Sequence, residues 1–463
     1  MKLKKYIFMA VVAVVLSTAM GSCKMYSNYT LPTEGLVGEY AQVKNEPVDS
    51  TALGNLDWRQ IFTDPTLQGY IQRALDNNID LENAKLNVDI AQAQLQGAKL
   101  SYLPSVALSP NGAGSKYFID GSKFSWTYQL PLAASWEVDI FGRTLNANRK
   151  AKQALLQSQD YRQAVRSQII GAVANTYYAL VTLRKQHTIL TQTAKNWKES
   201  VEIMKQMKEA GRYNEVAVVQ SQANYCSVMA SIPSVEMSIN EANNTMSLLL
   251  NEKMTVWQVN EDAAPLVLTA AAVEGGIPVK YVASRPDVSA AEHSFAAAYY
   301  QTNMARSAFY PSLNISAQGG FTNIVGSAIM NPGKWFLNLA GSLTAPLFAR
   351  GQNIMNLKVS KAAQEQALNK FEYTVLNACA EVSNAYVTMT KTSEQQQYYQ
   401  EQVDNLAKAV EYNRDLQQLA TATYLEVITA QTQLLAAQRQ MLSNELAISR
   451  ASIALYQSLG GGR

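Results

Sequence analysis

Histidine is almost absent from this chain: 463 residues hold two, His187 and His293. Neither histidine, and none of the three cysteines, falls in a cluster with metal-ligand spacing, so a metal centre is not expected. Cys226 and Cys379 stand far apart and cannot make a disulfide scaffold for a chain of this size. Both lie in helical patterns and read as small core residues. Charge is scarce as well, at 16% of residues, with a formal net charge of +3. Three lysines, Lys2, Lys4 and Lys5, fall in the first five residues, so the remainder is balanced. With no Lys/Arg-rich run, nucleic-acid binding is excluded. No phosphate-cradling glycine loop and no G-x-S-x-G nucleophile motif occurs, and the terminal "GGG" is a tail; nothing points to an enzyme. Met204 and Met207 sit at helical spacing, which suits core or tunnel packing better than a copper relay. Beyond the leader no run of eighteen apolar residues exists, so no transmembrane helix is expected.

What the sequence does contain begins with "MKLKKYIFMAVVAVVLSTAMGSCK". A basic start, an apolar core from Ile7 to Leu16 and small residues afterwards form a secretory signal over residues 1–22. Cys23 follows "MGS", which resembles the lipobox of bacterial lipoproteins, with Met20 in place of the usual Leu. That resemblance implies a covalent lipid on Cys23, a diacylglycerol and an N-acyl chain, each buried methylene contributing about 0.8 kcal/mol to anchoring. The alternative is ordinary cleavage near Gly21. In the lipoprotein pattern an Asp after the cysteine retains a protein at the inner membrane; Lys24 stands here, which implies the outer membrane.

The chain is written twice. "NIDLENAKLNVDIAQAQLQGAKLSYLPSVALS" from Asn78 aligns with "SRPDVSAAEHSFAAAYYQTNMARSAFYPSLNIS" from Ser284: Asp80 meets Asp287, Ala98 meets Ala305 and Pro104 meets Pro311, all 207 apart. Phe141 and Phe348 keep that offset. Further on it becomes 209, as for Asn175 and Asn384, Tyr177 and Tyr386, Leu250 and Leu459, so two residues are inserted near "FARGQN". This tandem duplication gives repeat 1 over 78–250 and repeat 2 over 285–459. An arm (23–77) precedes them, a connector (251–284) joins them and a tail (460–463) follows. Each repeat opens with a helix that stops before Pro104 or Pro311, because proline disfavours helical conformation in the residue ahead of it. Two strands follow, about 103–118 and 124–141 in the first repeat, about 310–324 and 334–348 in the second. Then come a long helix, a hairpin tip (near 209–215 and 418–424) and a return helix.

The strands are two-faced. From Phe124 the even positions, among them Trp126, Tyr128, Leu130, Leu132 and Trp136, are apolar; Ser125, Thr127, Gln129, Ser135, Glu137 and Asp139 alternate with them. In repeat 2, Leu337 and Leu339 alternate with Asn338 and Ala340. A soluble sandwich with one solvated face has this pattern, and so does a barrel with lipid outside and a wet lumen within. Four strands do not close a barrel, and an open edge cannot face lipid, so the lipid reading requires strands pooled from several copies. The long helices, from about Thr144 and about Asn353, would each reach roughly 100 Å and are too polar to lie in lipid. Their thin, alanine-rich apolar stripes suit helices packed side by side around something wet, or a soluble coiled-coil rod.

Several stretches together resemble the TolC/OprM-like outer-membrane efflux proteins, in particular the lipidated branch that serves resistance-nodulation-division pumps. They are "WRQIFTDPTLQGYIQRALDNNIDLENA", "LPSVALS", "WEVDIFGR", the paired "YPSLNIS" and "LTAPLFARG", and "SIALYQSLGGG". The resemblance covers essentially the whole mature chain. It implies a mostly α fold with a transmembrane β-barrel: a homotrimer in which each copy gives four strands to a twelve-stranded outer-membrane barrel and its long helices to a periplasmic tunnel. It further implies a passive exit duct for drugs or other small molecules, docked to a periplasmic adaptor (membrane fusion) protein and an inner-membrane pump, with no cofactor beyond the lipid. The family's periplasmic gate and docking end are the hairpin tips, here "MKEAGRYNEVAVVQSQ" and "LQQLATATYLEVITAQTQ". The family pattern there is a small residue, a spacer, then Asp/Glu-Val. The second tip fits it with Ala420, Thr421, Tyr424, Glu426 and Val427; Arg414, Asp415, Tyr424 and Glu426 in this tip are the gate candidates, and Gly211, Ala420 and Thr421 the adaptor-docking candidates. In the first tip Ala217 stands where the acid would be, with Glu215 close by. Two other functions compete: an exit duct for metal ions or secreted peptides, and a lipid-anchored periplasmic coiled-coil scaffold without a pore.

Overall fold

The duplication is visible in the backbone, most closely in the first and long helices of each repeat. The computed structural model describes residues 26, 28–44, 56–116, 124–268, 279, 282–324, 334–418 and 424–462. Cys23, Ala420 and Thr421 lie outside them. In chain order the elements are α1 (Gly35–Val43), α2 (Trp58–Ile61), α3 (Pro65–Asn77), α4 (Ile79–Leu100), β1 (Ser105–Leu108), β2 (Asn111–Ser115) and β3 (Ser125–Val138). There follow α5 (Arg143–Glu209), α6 (Glu215–Leu250), α7 (Pro286–Ser307), β4 (Ser312–Ile324), β5 (Trp335–Thr344), α8 (Gln352–Gln418) and α9 (Tyr424–Ser458). Both ends of α4 and α7 differ by 207, and both ends of α5 and α8 by 209. Gly142 and Gly351, each just before a long helix and each in the left-handed region (φ 68 and 75), are 209 apart. Aligning Phe141 with Phe348 puts the two inserted residues at Ala349 and Arg350, but the ladders already differ by two residues within the hairpins, Ser105↔Ser135 in repeat 1 against Ser312↔Thr344 in repeat 2. Each long helix runs 67 residues, about 100 Å.

The chain forms two compact units. The first contains residues 89–157 and 291–370 and holds the whole sheet. β3 pairs antiparallel with β4 from Thr127↔Ile324 to Val138↔Leu313, and β4 pairs with β5 from Ser312↔Thr344 to Phe321↔Trp335. β1 and β2 lie on the other side of β3 in one continuous register, Leu108↔Leu132 and Asn111↔Gln129. The strand is interrupted at Ser109–Pro110, where proline supplies no amide hydrogen. Among the described residues the sheet is thus four strands wide, with two free edges: β1/β2 and β5.

The second unit contains residues 32–88, 158–290 and 371–463. Its helix ends repeat. Asn251 and Gly460, 209 apart and both left-handed, close α6 and α9 with the same pair of bonds. Asn251 N–H donates to the Leu248 carbonyl (3.2 Å) and Glu252 N–H to Ser247 (2.9 Å); Gly460 N–H donates to Gln457 (2.9 Å) and Gly461 N–H to Tyr456 (3.0 Å). The residue pair Asn78 and Arg285, 207 apart, ties each return helix to the start of its repeat. Asn78 Nδ2 donates to the Leu249 carbonyl (2.8 Å) and Arg285 Nη1 to the Ser458 carbonyl (3.0 Å). Burial works against the Arg285 charge, but Asp287 (2.6 Å) and Glu381 (2.7 Å) outweigh it and hold its pKa above the usual arginine value. The last glycines are not loose: Ser167 Oγ donates to the Gly461 carbonyl (2.6 Å), Gln163 Nε2 to Gly462 (3.0 Å), and Gly462 N–H to the Tyr456 hydroxyl (2.9 Å). One expectation fails here. Cys226 is exposed on α6 and Cys379 is half-buried, so neither is a core residue; α6 turns only one face inward, on which Ala217, Ser221, Val228 and Val235 are buried.

Candidate functional site

Two regions carry the features that matter for function, and each is built by one unit. In the first, the register puts the apolar residues of both repeats on one face. Leu132 stands between Leu108 and Gly319, and Gly319 is opposite Leu337; Ala317 separates Ala134 from Leu339; Trp136 meets Ile315. Trp126, Tyr128 and Leu130 complete the β3 row. Of these, Trp126 is 55% exposed, Leu132 55%, Leu337 56% and Leu339 71%; an apolar face left bare to this degree needs a non-aqueous neighbour. Aromatic rings mark its two ends. Trp126 lies near one, where Phe321 meets Trp335 across β4 and β5. At the other end Trp136 Nε1 donates to the Tyr102 carbonyl (3.0 Å), and Phe141 stacks on Tyr310 (ring centroids 5.1 Å apart). Ten residues from Trp126 to Trp136 span about 33 Å of strand. At a tilt of about 40° that becomes about 25 Å of height, the apolar band of an outer-membrane barrel.

The second region is the pair of hairpin tips, in the other unit. After α5 the chain turns at Gly211 (φ 73), with Gly211 N–H donating to the Lys208 carbonyl and Arg212 N–H to Met207, both at 2.9 Å. This six-residue closure requires a left-handed residue at its apex, which explains the glycine without any partner. Among the described residues no atom lies within 4 Å of where a Cβ would project, so room is not the constraint. Gly211→Ala is therefore expected to cost about 1–2 kcal/mol from backbone strain alone, while Gly211→Asn, tolerant of that conformation, costs less. Hydrogen exchange at the amides of 210–214 checks this. Equal exchange in both variants would mean the glycine is not there for its φ. Asn214 then caps α6, its Oδ1 accepting from Ala217 N–H (3.2 Å), and Lys208 pairs with Glu215 across the turn.

The second tip meets the first through Tyr424. Its side chain is 6% exposed, its hydroxyl bonds the fully buried Ser221 Oγ of α6, and its ring stands edge-on to Tyr213 (6.0 Å). Burial pushes the Tyr424 hydroxyl above its ordinary pKa. Tyr424 belongs to an apolar cluster that runs along the hairpins and includes Leu190, Ala194, Trp197, Met204, Ala217 and Ile428. This accounts for the acid missing from the first tip: Ala217 is inside that cluster, where a carboxylate would be stranded without water. Its counterpart Glu426 is exposed, as are Arg414 and Asp415 near the end of α8. Tyr424 is thus brought together with Ser221 and Tyr213, whereas Arg414, Asp415 and Glu426 face outward from the chain. Ser221 and Tyr213 were not legible as functional residues, because their links to Tyr424 cross 203 and 211 residues of sequence. Among the described residues no group of three or more His, Cys, Asp or Glu side chains could hold a metal ion, and no helix is long and apolar enough to cross a membrane.

A family model described as "Outer membrane efflux protein" matches the chain twice, over residues 70–252 and 277–461. The chain is similar to the cation efflux system protein CusC of Escherichia coli O6:H1, 27% identical over 448 residues that cover 96% of each chain. It is similar also to the pyoverdine export outer membrane protein OpmQ of Pseudomonas aeruginosa, 29% identical over 420 residues covering 88% of this chain and 87% of that one. Among solved structures, one of CusC, described with its "transmembrane channel formation", superposes with a TM-score of 0.84 at 25% identity, covering 94% of this chain and 99% of the other.

Proposed function

Because the chain belongs to the outer membrane efflux protein family, and so is the outer-membrane channel component of an efflux system, we propose that three copies close one barrel and act as a passive exit duct. The observation that carries this is the sheet: an apolar face continuous across both repeats, ending in two unpaired edges. A lone four-stranded sheet would leave its edge amides without partners in lipid, whereas three copies supply twelve strands and no edge. On this reading Trp126, Tyr128, Leu130, Leu132, Trp136, Leu337 and Leu339 contact lipid, and acyl chains on Cys23 add a second anchor.

The helical tips form the periplasmic gate and the docking end for an adaptor protein, which couples the duct to an inner-membrane pump. Three copies of Asp415 or Glu426 on a narrowing axis would make a charged ring that passes cations and opposes anions, and Arg414 in the neighbouring copy could lock it shut. Gly211, Ala420 and Thr421 are the candidates for the adaptor contact, because small residues in a tip allow helices to approach closely. The relatives' names carry cargoes as different as cations and pyoverdine at similar identity. That supports a duct whose cargo is chosen by the pump. Extraction in mild detergent followed by mass and outline of the particle tests the whole reading: three chains drawn out beyond roughly 100 Å are expected. A monomer, or a rod released without detergent, would replace the duct with a periplasmic scaffold.

A further inference from the structure

We propose that a cavity of about 370 Å³ in the second unit binds a phosphate-type oxyanion through Arg162 and Arg166 of α5, with Arg59 of α2 and Lys85 of α4 completing the site. These four cations line the cavity together with a single carboxylate, Asp76 of α3.

The duplication shows that the fold does not demand this charge. The residues 209 further on from Arg162 and Arg166 are Phe371 and Val375 of α8, both fully buried. Tyr40 of α1, 1% exposed, stands edge-on to Phe371 with ring centroids 5.2 Å apart. Repeat 2 thus closes this stretch of its long helix with an apolar contact. Repeat 1 keeps two arginines there, beside an open and charged cavity.

Those arginines lack the partners that a purely structural role would give them. They are four residues apart on one helix, where like charges repel. Among the described residues neither makes a salt bridge, and Arg166 Nε is buried with no acceptor. A charged donor left unsatisfied costs more than an ordinary lost hydrogen bond, so an acceptor from outside the chain gains correspondingly. The other two cations are only weakly neutralised. Arg59 lies 3.5 Å from Asp57 and Lys85 lies 3.1 Å from Glu82, both pairs about half exposed. Asp76 is occupied elsewhere, accepting from Gln72 Nε2 (3.0 Å). Gln72 Oε1 in turn accepts from Arg59 Nη2 (2.7 Å), which holds that guanidinium at the cavity.

The donor set favours phosphate over a simple carboxylate. Each guanidinium fork matches a pair of oxygens on one anion. A carboxylate has a single such pair and a single charge, which leaves cations on the other helices unserved. A phosphate monoester dianion has a further oxygen and a second charge, enough to engage α5 together with α2 or α4. Bound there, it would join the N-terminal helices to the long helix of repeat 1, as the contact between Tyr40 and Phe371 does in repeat 2.

The test is titration calorimetry on the full-length protein in mild detergent at low ionic strength, with inorganic phosphate as the probe. Saturable binding of one phosphate per chain is expected, weakened about ten-fold or more in Arg162→Gln with Arg166→Gln. Lys195→Gln with Lys198→Gln removes the same charge from exposed positions further along α5 and should bind as the wild type does. Arg162→Gln alone, at an exposed position, serves if the double variant does not assemble, and it too should bind more weakly. A second probe, dihexanoyl phosphatidic acid, separates the two sources of this chemistry: tighter binding than inorganic phosphate assigns a lipid headgroup, and equal or weaker binding assigns the free ion. No saturable phosphate binding would overturn the site. So would undiminished binding in the arginine variants, equal loss in the lysine control, or competition by chloride at matched ionic strength that is as strong as competition by sulfate.

Discussion

Leu132→Arg is expected to abolish assembled, membrane-inserted protein while leaving the chain expressed. Leu132 sits in the middle of the longest strand, six residues from Trp126 and four from Trp136, so it lies near the midplane of the apolar band. Its strand neighbours Leu108 and Gly319 offer no acceptor side chain for a guanidinium. An arginine at the midplane of a lipid-facing barrel surface costs about 2–4 kcal/mol. In the proposed trimer that penalty is paid three times, which exceeds what one or two lost contacts would do. Gln129→Arg is the matched control: same strand, same added charge, opposite face. The readout is the amount of detergent-resistant oligomer in outer-membrane fractions. Loss in Leu132→Arg with near-normal amounts in Gln129→Arg is expected; equal amounts in both would mean that this face never meets lipid.

How far the sequence alone reached differs between the sheet and the tips. The two-residue alternation from Trp126 to Trp136 and the 207 offset were enough to place four strands and their apolar face, because both signals are local or repeated. The free edges followed from counting strands. The interruption at Ser109–Pro110 did not stand out, since a single proline inside an alternating segment is compatible with an edge strand. The tips were less legible. Glycine at 211 suggested close approach by a partner, yet the helix closure alone demands it. Ala217 stands where the family pattern has an acid, and only the fold shows that it belongs to an apolar cluster in which a carboxylate would lack water. Cys226 illustrates the limit of composition: cysteine is usually buried, but which face of a polar helix turns inward is decided by long-range contacts.

Those long-range contacts give the second large expected effect, at Tyr424. Ser221 Oγ donates its own hydrogen to the Ala217 carbonyl (2.7 Å), so the Tyr424 hydroxyl must be the donor to Ser221. Tyr424→Phe removes one buried hydrogen bond and should cost about 1 kcal/mol. Tyr424→Ala also empties the site against Ile428 and Tyr213, a change of about 3–5 kcal/mol for a buried aromatic. The anchoring of α9 on the first hairpin should then fail locally. Hydrogen exchange in residues 424–430 would speed up strongly in the Ala variant and only several-fold in Phe. Because the tips form the narrow end of the proposed duct, the Ala variant should also show a higher resting conductance in planar bilayers. Wild-type exchange in Tyr424→Ala would sink the idea that Tyr424 ties the two hairpins. The link has a pH signature too. Burial raises the tyrosine pKa in the folded tip above the unfolded value of about 10. Its contribution is therefore complete below pH 10 and is lost as pH rises through the folded value, so alkali, not acid, should loosen this contact.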